Sequence, residues 1–196
     1  MRRVLLPLLA AAALTGCAAM NNLTSEVSTY SQWPADRKPS TYAFERLPSQ
    51  AAQPERTQML EDAARDAVES AGFTPAADLA SADVTVQVGA RVSPNEPYPW
   101  ADPFWWRGGV YYGRRSTHLY GGLWAPIGPR PTYDREVALL IRDRKTGQPL
   151  YEARAVNDGT SPSINALLPA MFEAAMKDFP SAGVNPRRVV TQINKP

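Results

Sequence analysis

One cysteine carries all the thiol chemistry of this chain, and its neighbours say what is done with it. Leu14-Thr15-Gly16-Cys17 closes an apolar run, Val4 to Leu14, that follows the basic pair Arg2-Arg3 and is interrupted only by Pro7. The run has the length of a signal-peptide core and falls short of the roughly 20 apolar residues of a spanning helix. Small residues directly before a cysteine read as a lipoprotein cleavage site. Gly16 leaves the backbone open to a peptidase, and the Cys17 thiol is the nucleophile that accepts a diacylglycerol, with an N-acyl chain on the freed amine. Residues 1–16 are then the signal peptide, and this covalent lipid is the only prosthetic group expected. Several acyl chains anchor stably where a single myristoyl chain is marginal. Membrane lipid, reached through Cys17, is the first partner the sequence names.

Other chemistry is thin, and no catalytic residue, metal or diffusible cofactor is assigned. His118 is the sole histidine, with Ser116 too close in sequence to make a persuasive triad partner, so it reads as a solvated loop residue. Zinc sites need His and Cys clusters, which an acylated Cys17 cannot supply. Gly108-Gly109-Val110-Tyr111-Tyr112-Gly113-Arg114-Arg115 looks superficially like a phosphate loop. It lacks the Gly-Lys-Ser/Thr ending and has neither a strand before it nor a helix after it. Asp143 to Gly147 reads as a hairpin turn and not as a calcium loop. Glu61, Asp62, Asp66 and Glu69 read as a solvated helix face. A carboxylate pair such as Asp83 with Glu136 would be visible only in space, which leaves a cell-wall or lipid hydrolase as the least favoured reading.

The stretch Tyr98 to Tyr133 is different in kind. It holds ten of the eighteen aromatics, among them Trp100, Phe104, Trp105, Trp106, Tyr111, Tyr112 and Trp124. Arg107, Arg114, Arg115 and Arg130 stand against a single acid, Asp102. Three readings stay open. The aromatics pack as the loop's own small core or over an exposed sheet face; Trp, Tyr and Arg form a membrane-interface belt or grip a lipid head group; or the rings stack on sugars of a glycan while arginines read anionic groups. Trp100, Phe104, Trp105, Trp106, Arg107, Tyr111, Tyr112, Arg114, Arg115 and Trp124 are the candidate binding residues.

The elements that must position these residues are legible from periodicity. Alternation predicts strands over 27–33, 41–46, 82–92, 134–142 and 150–156, with Gly147 turning the last two into a hairpin. Apolar spacing predicts helices over 54–71, opened by Pro54 and capped by Gly72, and over 166–179, with Pro169 in its first turn. Residues 188–193 form an edge strand or a tail. The expected fold is α+β: a mostly antiparallel sheet of about five or six strands, two helices on one face, and a long aromatic, Gly- and Pro-rich insertion over 93–132. Residues 17–26 read as a lipidated tether and 27–196 as a single domain. Of 21 basic residues, Arg2 and Arg3 leave with the signal peptide, so the mature chain balances 19 acids and carries no field that calls for nucleic acid.

Thr41-Tyr42-Ala43-Phe44, Gly72-Phe73, Ala82-Asp83-Val84-Thr85-Val86, the hairpin over 140–147 with Leu150-Tyr151, and Phe179-Pro180 together resemble the domain of unknown function 4136 family of bacterial lipoproteins. The resemblance spans about 24–181 and implies an α+β domain on a lipid anchor in the Gram-negative envelope, with no established activity to transfer. By similarity to bacterial lipoproteins, Ala18-Ala19 after the cysteine favours outer-membrane sorting. The periplasmic face is the default, with the inner membrane or the cell surface as alternatives. The expected function is a non-enzymatic binding or scaffolding module whose partner is an envelope protein, a glycan or a lipid head group; the alternative is an accessory subunit of an envelope transport or assembly complex.

Overall fold

Period-two alternation builds the centre of the molecule, because it gives each strand one apolar side to bury. The computed structural model describes residues 21–95, 110–113, 116–119 and 132–193. In chain order these give β1 (Asn22–Ser31), β2 (Thr41–Phe44), α1 (Pro48–Ala51), α2 (Pro54–Ser70), β3 (Thr74–Pro75), β4 (Val84–Asn95), β5 (Val110–Gly113), β6 (Ser116–Leu119), β7 (Thr132–Asp143), β8 (Pro149–Gly159), α3 (Leu168–Met176) and β9 (Arg187–Gln192). Seven strands form one sheet in the order β3-β2-β4-β7-β8-β1-β9, and β5 with β6 forms a separate hairpin.

The sheet is mostly antiparallel, as expected, but has seven strands where five or six were expected and is mixed at one edge. From β4 to β9 every pair is antiparallel. β2 runs parallel to both β3 and β4, since the helical crossover returns the chain in the direction it left. Val84, Val86, Val88, Val137, Leu139, Ile141, Ala153, Ala155 and Val27 turn one sheet face toward the helices and are buried. α2 presents Leu60, Ala64, Ala67 and Val68 to that face, and α3 lies beside it across β7, β8, β1 and β9. Both helices thus sit on one face as their apolar spacing predicts, with the four-residue α1 preceding them.

Several boundaries move. The polar run read as a tether is strand from Asn22 onward: Leu23 and Ser25 are buried, and Glu26 pairs with both Val156 and Arg188. Small hydroxyl side chains hid that alternation. β4 and β7 run on to the pair Asn95↔Thr132, which narrows the insertion to 96–131. The second helix is shorter than 166–179, starting after a 3-10 turn with Pro169 in its first turn and ending at Met176. Residues 187–192 are strand, paired with β1. Gly72 at φ 98° and Gly147 at φ 71° take the left-handed conformation that their cap and turn positions demand.

Beyond the C-terminal end of β1 the sheet is closed by aromatics. Trp33 meets Phe179 at 4.9 Å and Phe73 at 5.6 Å between ring centroids, Tyr151 meets Phe179 at 5.2 Å, and Tyr42 meets Phe44 at 5.4 Å. Tyr42, Phe44, Phe73, Tyr151 and Phe179 come from the short motifs quoted above, so those motifs describe packing.

Candidate functional site

Most titratable side chains that leave their ordinary range are engaged in holding this frame together. Tyr42 is buried and donates to Glu69 Oε1 at 3.2 Å. Burial first, and the Glu69 charge second, push its phenol up to about 12. Tyr151 donates to the Ala175 carbonyl at 3.1 Å, and burial, with the Asp178 charge behind it, raises its phenol further. Both remain neutral donors at any physiological pH. Asp178 is bridged to Arg187. Glu61, expected on a solvated helix face, is only 5% exposed and accepts from Arg46 Nε at 2.7 Å and Nη2 at 2.6 Å. A buried carboxylate requires such a partner, and the guanidinium fork supplies two parallel bonds. Its position beside the apolar stripe of α2 could not be told from the helix pattern alone.

Asp83 and Glu136 do not meet. Asp83 accepts from Thr41 Oγ1 at 2.9 Å at one end of the sheet. Glu136 lies toward the other end, paired in register with Arg91. Among the described residues no group of three or more His, Cys, Asp or Glu is arranged to hold a metal ion.

What the described residues do offer is the sheet face turned away from the helices. One row of the ladder crosses five strands there as Arg91, Glu136, Val156, Glu26 and Arg188. Glu136 bridges Arg91 Nη2 at 2.8 Å and Arg154 Nε at 3.2 Å. Tyr30, 64% exposed, and Val190, 57% exposed, extend the face toward β9. β9 has β1 on one side only and is an edge of the sheet, with backbone groups open to a further strand. At the opposite edge β3 spans two residues and ends in Pro75, which has no N–H to donate. The row carries both signs, with basic ends and an acidic middle, so it suits a patterned protein surface better than a polyanion. Sequence reading placed alternating polar residues on these strands but could not show which ones share a row, because the register is set in space.

The residues singled out from the sequence fall mainly elsewhere. Gly16, Cys17, Trp100, Phe104, Trp105, Trp106, Arg107, Arg114, Arg115 and Trp124 lie outside the described residues. Tyr111 and Tyr112 lie on β5, opposite His118 and Thr117 of β6. His118 therefore belongs to a hairpin strand, where a loop position was expected. Val110–Gly113 being strand also fits the rejection of a phosphate loop, which needs that run to be a turn before a helix.

Solved structures with similar shape include a PDZ domain protein from Parabacteroides distasonis, with TM-score 0.55 and 15% identity over 87% of this chain. The chain spans 38% of that protein, and the likeness extends to the fold alone. The PelC dodecamer from Paraburkholderia phytofirmans aligns with TM-score 0.35 and 11% identity, over 78% of this chain and 94% of that one. A DUF4136 family protein from Bacteroides thetaiotaomicron aligns with TM-score 0.21 and 16% identity, over 67% and 81%. No curated protein matches the sequence. Residues 26–181 match the family described as "Domain of unknown function (DUF4136)", which takes in the sheet from Glu26 through β8 and all three helices, and the chain belongs to that family.

Proposed function

We propose that this protein is a lipid-anchored lipoprotein of the Gram-negative outer membrane, facing the periplasm, whose domain is a non-enzymatic binding or scaffolding module. The anchor rests on Leu14-Thr15-Gly16-Cys17. The observation that carries the binding role is the helix-free sheet face, where the row from Arg91 to Arg188 sets two acids between two outer arginines and continues to an open strand edge. Anchoring confines the domain to a thin layer beside the membrane, so a weak contact gains from effective concentration. Cys17→Ser is expected to release the domain into the soluble periplasmic fraction or leave the precursor uncleaved, read by fractionation and intact mass. An acylated Cys17→Ser protein would remove the basis of the proposal. In-cell cross-linking with mass spectrometry then identifies the partner. Loss of the cross-link in a Glu136→Arg variant that still folds supports the sheet face, whereas an unchanged cross-link places the contact elsewhere.

The β9 edge favours a second reading: an accessory subunit of an envelope transport or assembly complex, docked by strand addition. Val190→Pro on that edge blocks this reading's contact without touching the Glu136 row, and the two variants separate the alternatives.

A further inference from the structure

The hydrogen bonds around β9 show which of its backbone groups face away from the sheet. The Ile193 N–H donates to the Asn21 carbonyl at 2.7 Å, and the Asn185 side chain takes both backbone groups of Thr29. Bonding alternates along an antiparallel strand, so Arg187, Val189 and Thr191 direct their N–H and C=O toward β1. Arg188, Val190 and Gln192 direct theirs outward, where the sheet order has no further strand among the described residues. All three are exposed, with side chains on the helix-free face. The opposite edge is blunted by the two-residue β3 and its Pro75. β9 instead has Val190 at the middle of its outward set.

A second copy of β9, laid antiparallel against the first, has one register that leaves nothing over. With Val190 opposite Val190, Arg188 falls opposite Gln192 and Gln192 opposite Arg188. Three outward residues on each copy then close about six main-chain hydrogen bonds across a two-fold axis. On the helix side the same register sets Val189 against Thr191, both already buried. Sliding one copy until Val190 faces Arg188 puts Gln192 opposite Pro186, which has no N–H. Sliding it further sets Arg188 against Arg188, two like charges. The other direction, with Val190 facing Gln192, carries Arg188 past the last residue of β9. The single charge on the outward set therefore selects the register.

We propose that the β9 edge pairs with the β9 edge of a second copy of this chain, antiparallel and centred on Val190, joining two seven-stranded sheets into one. This rests on the strand-addition reading above and names its partner. A six-residue edge is well short of the roughly 20–30 residues a side of a standard interface, so the pair depends on the confinement that a Cys17 anchor provides. Asn22 shares a row with Gln192 and Glu26 with Arg188, so Asn22 of one copy falls in line with Glu26 of the other. The two Asn22 residues are then roughly 20 Å apart, and each span from Cys17 to Asn22 extends about 18 Å, so both anchors reach one bilayer.

The test uses the full chain in cells, after intact mass has confirmed acylation. Cys17 is the only cysteine, so the acylated chain has no free thiol. Val190→Cys, Arg188→Cys and Gln192→Cys are changes at exposed positions, and each variant is treated with a short bismaleimide that enters the periplasm. The expected result is an adduct of twice the chain mass from Val190→Cys, at several-fold the yield from Gln192→Cys alone, whose two thiols lie about 14 Å apart along the strands. Differently tagged Arg188→Cys and Gln192→Cys copies, expressed together, cross-link to each other at the higher yield. Equal yields from Val190→Cys and Gln192→Cys alone are those of random encounter and overturn the pairing. An adduct joining position 190 to a different protein overturns self-pairing and leaves strand addition standing. No adduct at position 190 in acylated protein overturns both. Protein without acyl mass overturns the anchor reading and, with it, the confinement that the pair requires.

Discussion

Asp143 shows how much one side chain does at the hairpin turn. Its Oδ1 accepts from the backbone N–H groups of Lys145 at 3.0 Å and Thr146 at 2.9 Å, and from Thr146 Oγ1 at 3.1 Å, while Oδ2 accepts from Arg37 Nη1 at 2.8 Å. The Thr146 N–H first, then the Arg37 guanidinium, hold the carboxyl down at about 2 from an ordinary 3.8. A depressed folded-state value means the unfolded chain binds the proton more readily, so this contribution is whole above pH 3.8 and vanishes as pH falls through 2. Asp143→Asn is expected to lower stability at neutral pH by about 1–2 kcal/mol, the scale of charge-assisted hydrogen bonds. It should also flatten the acid limb of stability against pH between 4 and 2, as measured by urea unfolding. Equal slopes for the two proteins would refute this. The turn and its Gly147 were readable from local sequence. Arg37 was not, because nothing local ties it to a carboxylate more than a hundred residues away.

Between elements, Asn185 completes a strand that β9 leaves unfinished. β9 pairs with β1 only as far as Val27. Further along, the Asn185 side chain accepts from Thr29 N at 2.8 Å through Oδ1 and donates to Thr29 O at 2.6 Å through Nδ2, copying the two bonds of a neighbouring strand. Asn185→Ala is expected to cost roughly 1–3 kcal/mol, since two backbone groups lose partners, and to speed amide exchange at Thr29 above its β1 neighbours. Exchange at Thr29 that does not change would refute this role. Elements with a strong period were legible: α2 from Pro54 to its Gly72 cap, β4, and the β7–β8 hairpin. The start of β1 is hidden in the sequence because Thr24, Ser25 and Ser28 carry no hydropathy signal, although burial of Ser25 and Thr29 shows those two facing the helices. The parallel placement of β2 depends on a crossover, which periodicity does not encode.

For the whole molecule, the sheet is continuous up to the base of the aromatic stretch. Because Asn95 and Thr132 are a register pair, joining them by an Asn-Gly turn in place of 96–131 satisfies hairpin geometry. The shortened protein is expected to fold with a melting temperature no lower than that of the intact chain, since loop closure becomes cheaper. A large loss of stability would show that the removed residues belong to the core. Side placement of the two helices was legible from their matching apolar spacing. The open charged row was not, because Arg91, Glu136, Glu26 and Arg188 become neighbours only through strand order.

Strand order also fixes when the fold can close. Among the described strands β1 is the first made, yet its two neighbours are β8 and β9, residues 149–159 and 187–192. A chain delivered from its N-terminus must keep residues 22–31 unpaired while everything between is laid down, with Leu23 and Val27 exposed throughout. Contacts of such long sequence separation are slow to form and leave strand edges open to other chains in the interval. The last residues to emerge are the ones that release the first from waiting.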